Sequence, residues 1–238
     1  YLDGAEASLG AEGMTTDFSG TQTAFQERFQ EAPAEAVIDL LDMQRVAGSN
    51  MAALGWDGLG QLRDWLAEAV SDSGPSVADL TPALAEFGYP GLADQGEGTG
   101  GSEAVIGADS GATLTGRAGA DLVLGGSGDD TLDGGRGDDT LYGGEGSDTY
   151  RIGENSGSDT VIESHGETGE DVLAFGSQVP AGEWDIRAQG DQLVFAHIGG
   201  GDSVAVANWF NSLSPDAHRL DSLRFGEEAS YDLNALQM

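Results

Sequence analysis

The sequence predicts a mainly β chain: a parallel β-roll with a C-terminal β cap, preceded by a small α-helical region. Three observations lead there. A nine-residue repeat fills the middle of the chain. The composition turns from Ala-rich to Gly-rich near Gly96. Beyond about residue 180, short runs alternate apolar and polar residues. These features divide the chain into a helical spacer or domain end over 1–95, the roll over 96–175 and the cap over 176–238.

In the first part, Pro33 opens a segment with apolar Val37, Leu40, Leu41 and Val46, which Gly48 is expected to end. A second helix is predicted from about Leu59 to Val70, with Leu62, Trp65, Leu66 and Val70 on one face. A third starts at Ser76, where Ser76-Val77-Ala78-Asp79 resembles a capping box, and stops at Gly88 ahead of Pro90. These stripes read as core contacts, and this half shows no catalytic chemistry. Residues 96–105 form a Gly/Glu/Thr linker or a degenerate first row of the repeat.

Set in rows of nine from Gly98, the chain reads GTGGSEAVI, GADSGATLT, GRAGADLVL, GGSGDDTLD, GGRGDDTLY and GGEGSDTYR. Gly holds the first place in every row. Asp holds the sixth at Asp121, Asp130, Asp139 and Asp148, where the first two rows have Glu103 and Ala112. The eighth place is always large and apolar: Val105, Leu114, Val123, Leu132, Leu141 and Tyr150. The period then slips by two, and the pattern returns at Asp159-Thr160-Val161 and again at Asp171-Val172-Leu173. A flexible Gly/Asp linker does not explain a large apolar residue every nine positions. A roll does: each row is a glycine turn followed by a short strand, with the eighth side chain stacked inside.

With two rows per turn, rows 18 residues apart share an edge. The aspartates then form two ladders, Asp121–Asp139–Asp159 and Asp130–Asp148–Asp171. The carbonyls of Gly116, Gly125, Ser127, Gly134, Arg136, Gly143 and Glu145, at the first and third places, complete the candidate metal-ligand set. Two carboxylates and several carbonyls make the all-oxygen shell of Ca²⁺, with about four strong sites at 121/139, 130/148, 139/159 and 148/171. Mg²⁺ prefers a tighter octahedron, and the chain has no cysteine for a thiolate zinc site.

The charge fits this reading. Nine Arg and no Lys face 42 acidic residues, for a formal charge of −33. Such a chain repels itself unless cations neutralise it, and it is a poor partner for nucleic acid or an anionic membrane surface. Without cysteine it has no disulfide staple, a part that metal ions can take over. No apolar run approaches the roughly 20 residues of a membrane span. Tyr1 opens the chain with neither a signal-peptide pattern nor an initiator Met, so a piece of a longer protein is expected.

Over Gly116–Arg151 the chain resembles the repeats-in-toxin (RTX) proteins exported by type I secretion systems. Asp148-Thr149-Tyr150-Arg151-Ile152-Gly153 and Ser158-Asp159-Thr160-Val161-Ile162-Glu163 are similar to the last repeat block of adenylate cyclase–haemolysin toxins. So is the tail, at Asp191–Phe195, Asp202–Val206, Asn208-Trp209-Phe210 and Leu220–Phe225. The likeness covers about residues 98–230. It implies a calcium-binding module of a secreted or cell-surface protein, with a cap anchored by Trp209 that closes the roll. The partners it implies are calcium and the type I secretion machinery; the module is expected to be monomeric.

Three roles stay open on the sequence: a calcium-responsive folding and export module of a toxin or adhesin, a structural module of a surface-layer or biofilm protein, and an accessory domain of a secreted enzyme. No HExxH or GxSxG motif is present, and His165, His197 and His218 are scattered, so the chain itself is expected not to be an enzyme.

Overall fold

In the computed structural model, residues 6–10, 13–17, 19–52, 56–71, 73–94, 96–164, 169–177, 180–210, 219–226 and 230–233 are described. His165, His218 and Met238 lie outside them. An antiparallel hairpin of β1 (Glu6–Gly10) and β2 (Gly13–Asp17) is followed by four helices: α1 (Ser19–Glu31), α2 (Pro33–Ala52), α3 (Gly58–Val70) and α4 (Val77–Glu86). None of these helices is long and apolar enough to cross a membrane.

The rest of the described chain forms two sheets. From one edge the larger runs β3 (Gly91–Asp94), β4 (Glu103–Ile106), β6 (Leu122–Gly126), β8 (Thr140–Gly144), β10 (Ser158–Ile162), β14 (Ser203–Val206), β13 (Gln192–His197) and β12 (Trp184–Gln189). The smaller runs β5 (Thr113–Thr115), β7 (Thr131–Asp133), β9 (Thr149–Ile152), β11 (Val172–Phe175), β15 (Ser222–Phe225) and β16 (Tyr231–Asp232). Successive rows alternate between the sheets, and neighbours within a sheet pair in parallel up to β14 and β15.

The register stacks the eighth-place residues into two columns. One runs Val105, Val123, Leu141, Val161, Val206; the other runs Leu114, Leu132, Tyr150, Leu173, Leu223. All ten are buried and meet in one core. The slip in the repeat leaves this register intact. Thr140 pairs with Thr160 and Thr149 with Val172, so the extra residues are absorbed in the turns.

The cap grows out of the roll. β14 and β15 add one more parallel rung to each sheet, and antiparallel β13, β12 and β16 then finish the edges. Phe175, Phe225, Trp184, Phe195 and Trp209 seal the end, with the Phe175 and Phe225 rings stacked at 4.8 Å between centroids. Repeat stacks need such an atypical final unit, because a bare last rung exposes both apolar face and strand edge.

One expectation from the sequence needs correction, and two features go beyond it. Gly48 does not end α2, which continues to Ala52; an internal glycine weakens a helix by only about 1 kcal/mol and does not stop it. Helix α1 has no clear sign in the sequence, since its periodicity is weak until Phe25 and Phe29 find Trp65; Phe29 stacks on that ring at 4.5 Å. The helices within 1–95 pack directly on the roll. The roll's larger sheet already begins at Gly91, and its outer face (Ala104, Ile106, Leu122, Leu124, Tyr142) shares a core with Leu40, Leu62, Trp65, Leu66, Leu80 and Leu84 of the helices. The capping box is present: Asp79 Oδ2 accepts from the Ser76 N–H at 3.1 Å and its hydroxyl at 2.7 Å.

The reason for this sandwich is visible in alternate rows. In the larger sheet the seventh and ninth places are Ala104 and Ile106, then Leu122 and Leu124, then Thr140 and Tyr142. In the smaller sheet they are Thr113 and Thr115, Thr131 and Asp133, Thr149 and Arg151. A parallel sheet that is apolar on both faces must be covered on both. Leu124→Ala is expected to destabilise the calcium-loaded chain by about 2–5 kcal/mol, as a buried Leu truncation does, and to lower helical and strand signals in one denaturant transition. Separate transitions for the two halves would contradict the shared core.

Candidate metal centre

Each sixth-place carboxylate is held by the rung before it. In the first ladder the N–H of Glu103 donates to Asp121 Oδ1 at 2.8 Å, that of Asp121 to Asp139 at 2.8 Å, and that of Asp139 to Asp159 at 3.2 Å. In the second, the N–H of Ala112 donates to Asp130 at 2.5 Å, that of Asp130 to Asp148 at 2.8 Å, and that of Asp148 to Asp171 at 2.8 Å. The parallel register makes this possible, because it places each amide directly beside the side chain one full turn later. All six aspartates are buried.

One oxygen is thereby satisfied. The other, Oδ2, meets no hydrogen-bond donor in Asp121, Asp139 and Asp148. It lies instead beside the first-place glycine of its own row. A Cβ built on Gly116 would fall 2.3 Å from Asp121 Oδ2 and 2.5 Å from the Gly134 carbonyl oxygen; on Gly125, 2.5 Å from Asp130 Oδ2 and 2.1 Å from the Gly143 carbonyl oxygen. On Gly134 and Gly143 it would fall 2.2 and 2.0 Å from Oδ2 of Asp139 and Asp148. The glycines therefore keep open a row of small cradles walled by a carboxylate oxygen and, at Gly116 and Gly125, a carbonyl oxygen from one turn on. Ser127, Arg136 and Glu145 have exposed side chains, so what they can bring to an ion is their backbone carbonyls.

Burial pushes Asp121 up to about 7, against the amide of Glu103 and with help from the Asp139 and Glu103 charges. Burial likewise raises Asp148 to about 7, with Asp171 and Asp130 repelling it, and Asp159 to about 7, with Asp139 repelling it. Asp139 rises to about 6 through burial and the Asp133 and Asp138 charges. Asp130 is also raised by burial, opposed by the amides of Ala112 and Gly126 and by Arg63. Buried, unpaired carboxylates are unfavourable as anions unless a cation joins them.

The donor set fits a hard cation. Among the described residues no three His, Asp or Glu side chains converge on one point, so an ion held here draws on backbone carbonyls as well as carboxylates. Oxygen-only shells with carbonyl members suit Ca²⁺, which supplies compact positive charge to otherwise uncompensated oxygens.

The structure extends both ladders beyond the rungs expected from the repeat. Asp221 Oδ2 accepts from the Asp171 N–H at 3.0 Å, one rung further on. Its signal is present in the sequence: Asp221 precedes Leu223 by the same two residues as Asp171 precedes Leu173. Glu103 is a full first rung, and a Cβ on Gly98 would meet its Oε2 and the Gly116 carbonyl oxygen, both at 2.7 Å. Its carboxylate already accepts from the Thr99 N–H at 2.7 Å and from the Thr99 hydroxyl. His197, set against Glu183 at 3.1 Å on the cap, is remote from the ladders in sequence and sheet position.

Fold and donors together define a calcium-binding parallel β-roll. Residues 97–132 and 115–150 match the profile of the RTX calcium-binding nonapeptide repeat (4 copies). Residues 97–150 thus carry RTX calcium-binding nonapeptide repeats. No curated protein matches the chain.

The cradles give a direct test. Gly125→Ala drives a methyl into the Gly143 carbonyl and Asp130 Oδ2, whereas a Cβ on Gly153 meets nothing within 4 Å. Calcium titration is expected to show loss of at least one ion in Gly125→Ala and none in Gly153→Ala. Equal counts in the two variants would contradict the cradle geometry.

Proposed function

We propose that this chain is a calcium-triggered folding module, without catalytic activity, of a toxin or adhesin that type I secretion machinery exports. It works outside the cell or at the bacterial surface. The observation that carries the reading is the set of buried Oδ2 atoms of Asp121, Asp139 and Asp148 that face glycine cradles with no donor of their own. Support for the export setting comes from the RTX repeats, which are typical of type I-secreted proteins.

The chain's own groups set the conditions. Four ladder carboxyls of the ion-free roll, Asp139 at about 6 and Asp121, Asp148 and Asp159 at about 7, sit above their ordinary 3.8. A folded-state value that is raised favours the fold only while the group is protonated. That contribution is full below about pH 4 and is lost as pH rises through 6 to 7. At neutral pH in a calcium-poor cytosol the ladders therefore oppose the roll, and a glycine-rich chain kept open suits a narrow export channel. Extracellular calcium sites commonly bind near 10⁻⁴ M. At about tenfold that concentration each site adds about 1.4 kcal/mol by linkage, so about four contribute roughly 6 kcal/mol, comparable with a domain's whole stability.

Far-UV circular dichroism of the full chain tests this. Near pH 7.5, chelator is expected to abolish most of the strand signal and millimolar calcium to restore it in a monomer. Acidification towards pH 5 in chelator should recover part of it. A strand signal unchanged by chelator would sink the proposal.

A further inference from the structure

Arg63 is the one basic residue among the buried polar side chains described, and it sits on α3, outside the repeats. Its Nη2 donates to the Gly107 carbonyl oxygen at 2.7 Å, and its Nε is shared between the carbonyl oxygens of Gly107 and Gly125, each at 3.2 Å. On its outer side Nη1 pairs with Asp109 at 2.5 Å and Asp64 at 3.1 Å.

Those two carbonyls have a defined place in the repeat. Gly107 and Gly125 are the first-place glycines of successive rows on the second ladder's edge. The row of Gly107 carries Ala112 where the others carry a carboxylate, although its backbone still takes part, through the Ala112 N–H on Asp130. A Cβ on Gly107 would lie 3.3 Å from the Gly125 carbonyl oxygen and 3.4 Å from the Ala112 methyl. One rung on, a Cβ on Gly125 meets the Gly143 carbonyl oxygen and Asp130 Oδ2. Both places thus face the carbonyl of the next rung, which is farther off at Gly107, where the Ala112 methyl and Leu114 Cδ1, 3.2 Å from that Cβ, stand in place of the carboxylate.

We propose that the Arg63 guanidinium is the built-in cation of this carboxylate-less rung. It takes the carbonyl oxygens that an ion would take and fastens α3 to the metal-binding edge. Without a carboxylate, carbonyls alone hold a free ion weakly, yet buried carbonyls still need donors. A tethered guanidinium supplies donors and charge, and Asp109 and Asp64 balance that charge locally. The arrangement ties the helices to the end of the roll where ladder two begins, so that order in one half supports order in the other.

The inference rests on the calcium reading above, and the test separates the two. Calcium stoichiometry is measured by isothermal titration on the unaltered full chain and three variants: Arg63→Ala, Ala112→Asp, and both together. The double variant regains a carboxylate and an empty cradle and is expected to bind one ion more than the unaltered chain. Ala112→Asp alone should gain none, because its carboxylate pairs with the guanidinium, and Arg63→Ala alone should gain none for want of a carboxylate. Should the double variant fail to fold, Arg63→Met with Ala112→Asp keeps the buried stem and carries the same count. No gain in a folded double variant, or a gain in Ala112→Asp alone, overturns the proposal. An unaltered chain that binds no calcium overturns the calcium reading itself.

Discussion

The structure depends on a carboxylate that is half satisfied. Each ladder aspartate gives one oxygen to the amide of the preceding rung, which fixes the side chain and helps lock the parallel register. In Asp121, Asp139 and Asp148 the second oxygen meets no donor and lies beside a glycine cradle that a cation can fill. The same residue therefore organises the fold and withholds it. Replacing these aspartates by apolar residues would remove the repulsion, but it would also remove the side-chain acceptors that tie one turn to the next. Glycine is the necessary partner at the first place, because a methyl there occupies the volume in which the free oxygen and the carbonyl meet.

Around this edge the chain builds two cores that share one sheet. Inside the roll, the eighth-place columns give each row a single large buried side chain. That is little apolar burial for a glycine-rich backbone, whose ordering is entropically expensive. The outer face of the larger sheet adds a second layer against the helices, with Ile106, Leu122 and Leu124 beneath Leu62, Trp65 and Leu66. The start of α3 joins the same construction: Asp57 Oδ1 accepts from the Gly60 N–H at 2.8 Å, and its carboxylate also meets the Tyr142 side chain from β8. The helices thus stabilise the rows by packing and through Arg63, while the cap stabilises the far end.

The columns, ladders and capping box were legible because each is set by local spacing. Nine-residue rows put Leu132 under Tyr150 and Asp121 under Asp139 without reference to anything distant. What stayed hidden depends on tertiary context. Helix α1 has few apolar residues, and Phe25 and Phe29 declare themselves only against Trp56 and Trp65. The helix–roll interface was readable in principle from Leu122 and Leu124 beside their polar counterparts Thr131 and Asp133, but only once alternate rows are compared. Arg63 carries no local sign at all, since 44 residues separate it from the Gly107 carbonyl it binds.

On the proposed function, repulsion among buried carboxylates, rather than weakness of the apolar core, makes this fold conditional on calcium. Exchanging Asp121, Asp139, Asp148 and Asp159 for Asn tests it most directly. Asparagine keeps an oxygen for the preceding amide and offers an N–H₂ to the carbonyl side of the cradle, without charge. Circular dichroism of this variant in chelator at neutral pH is expected to show the strand content of the calcium-loaded parent, unaffected by added calcium. A variant that stays without strand signal in chelator, yet folds when calcium is added, would contradict the account.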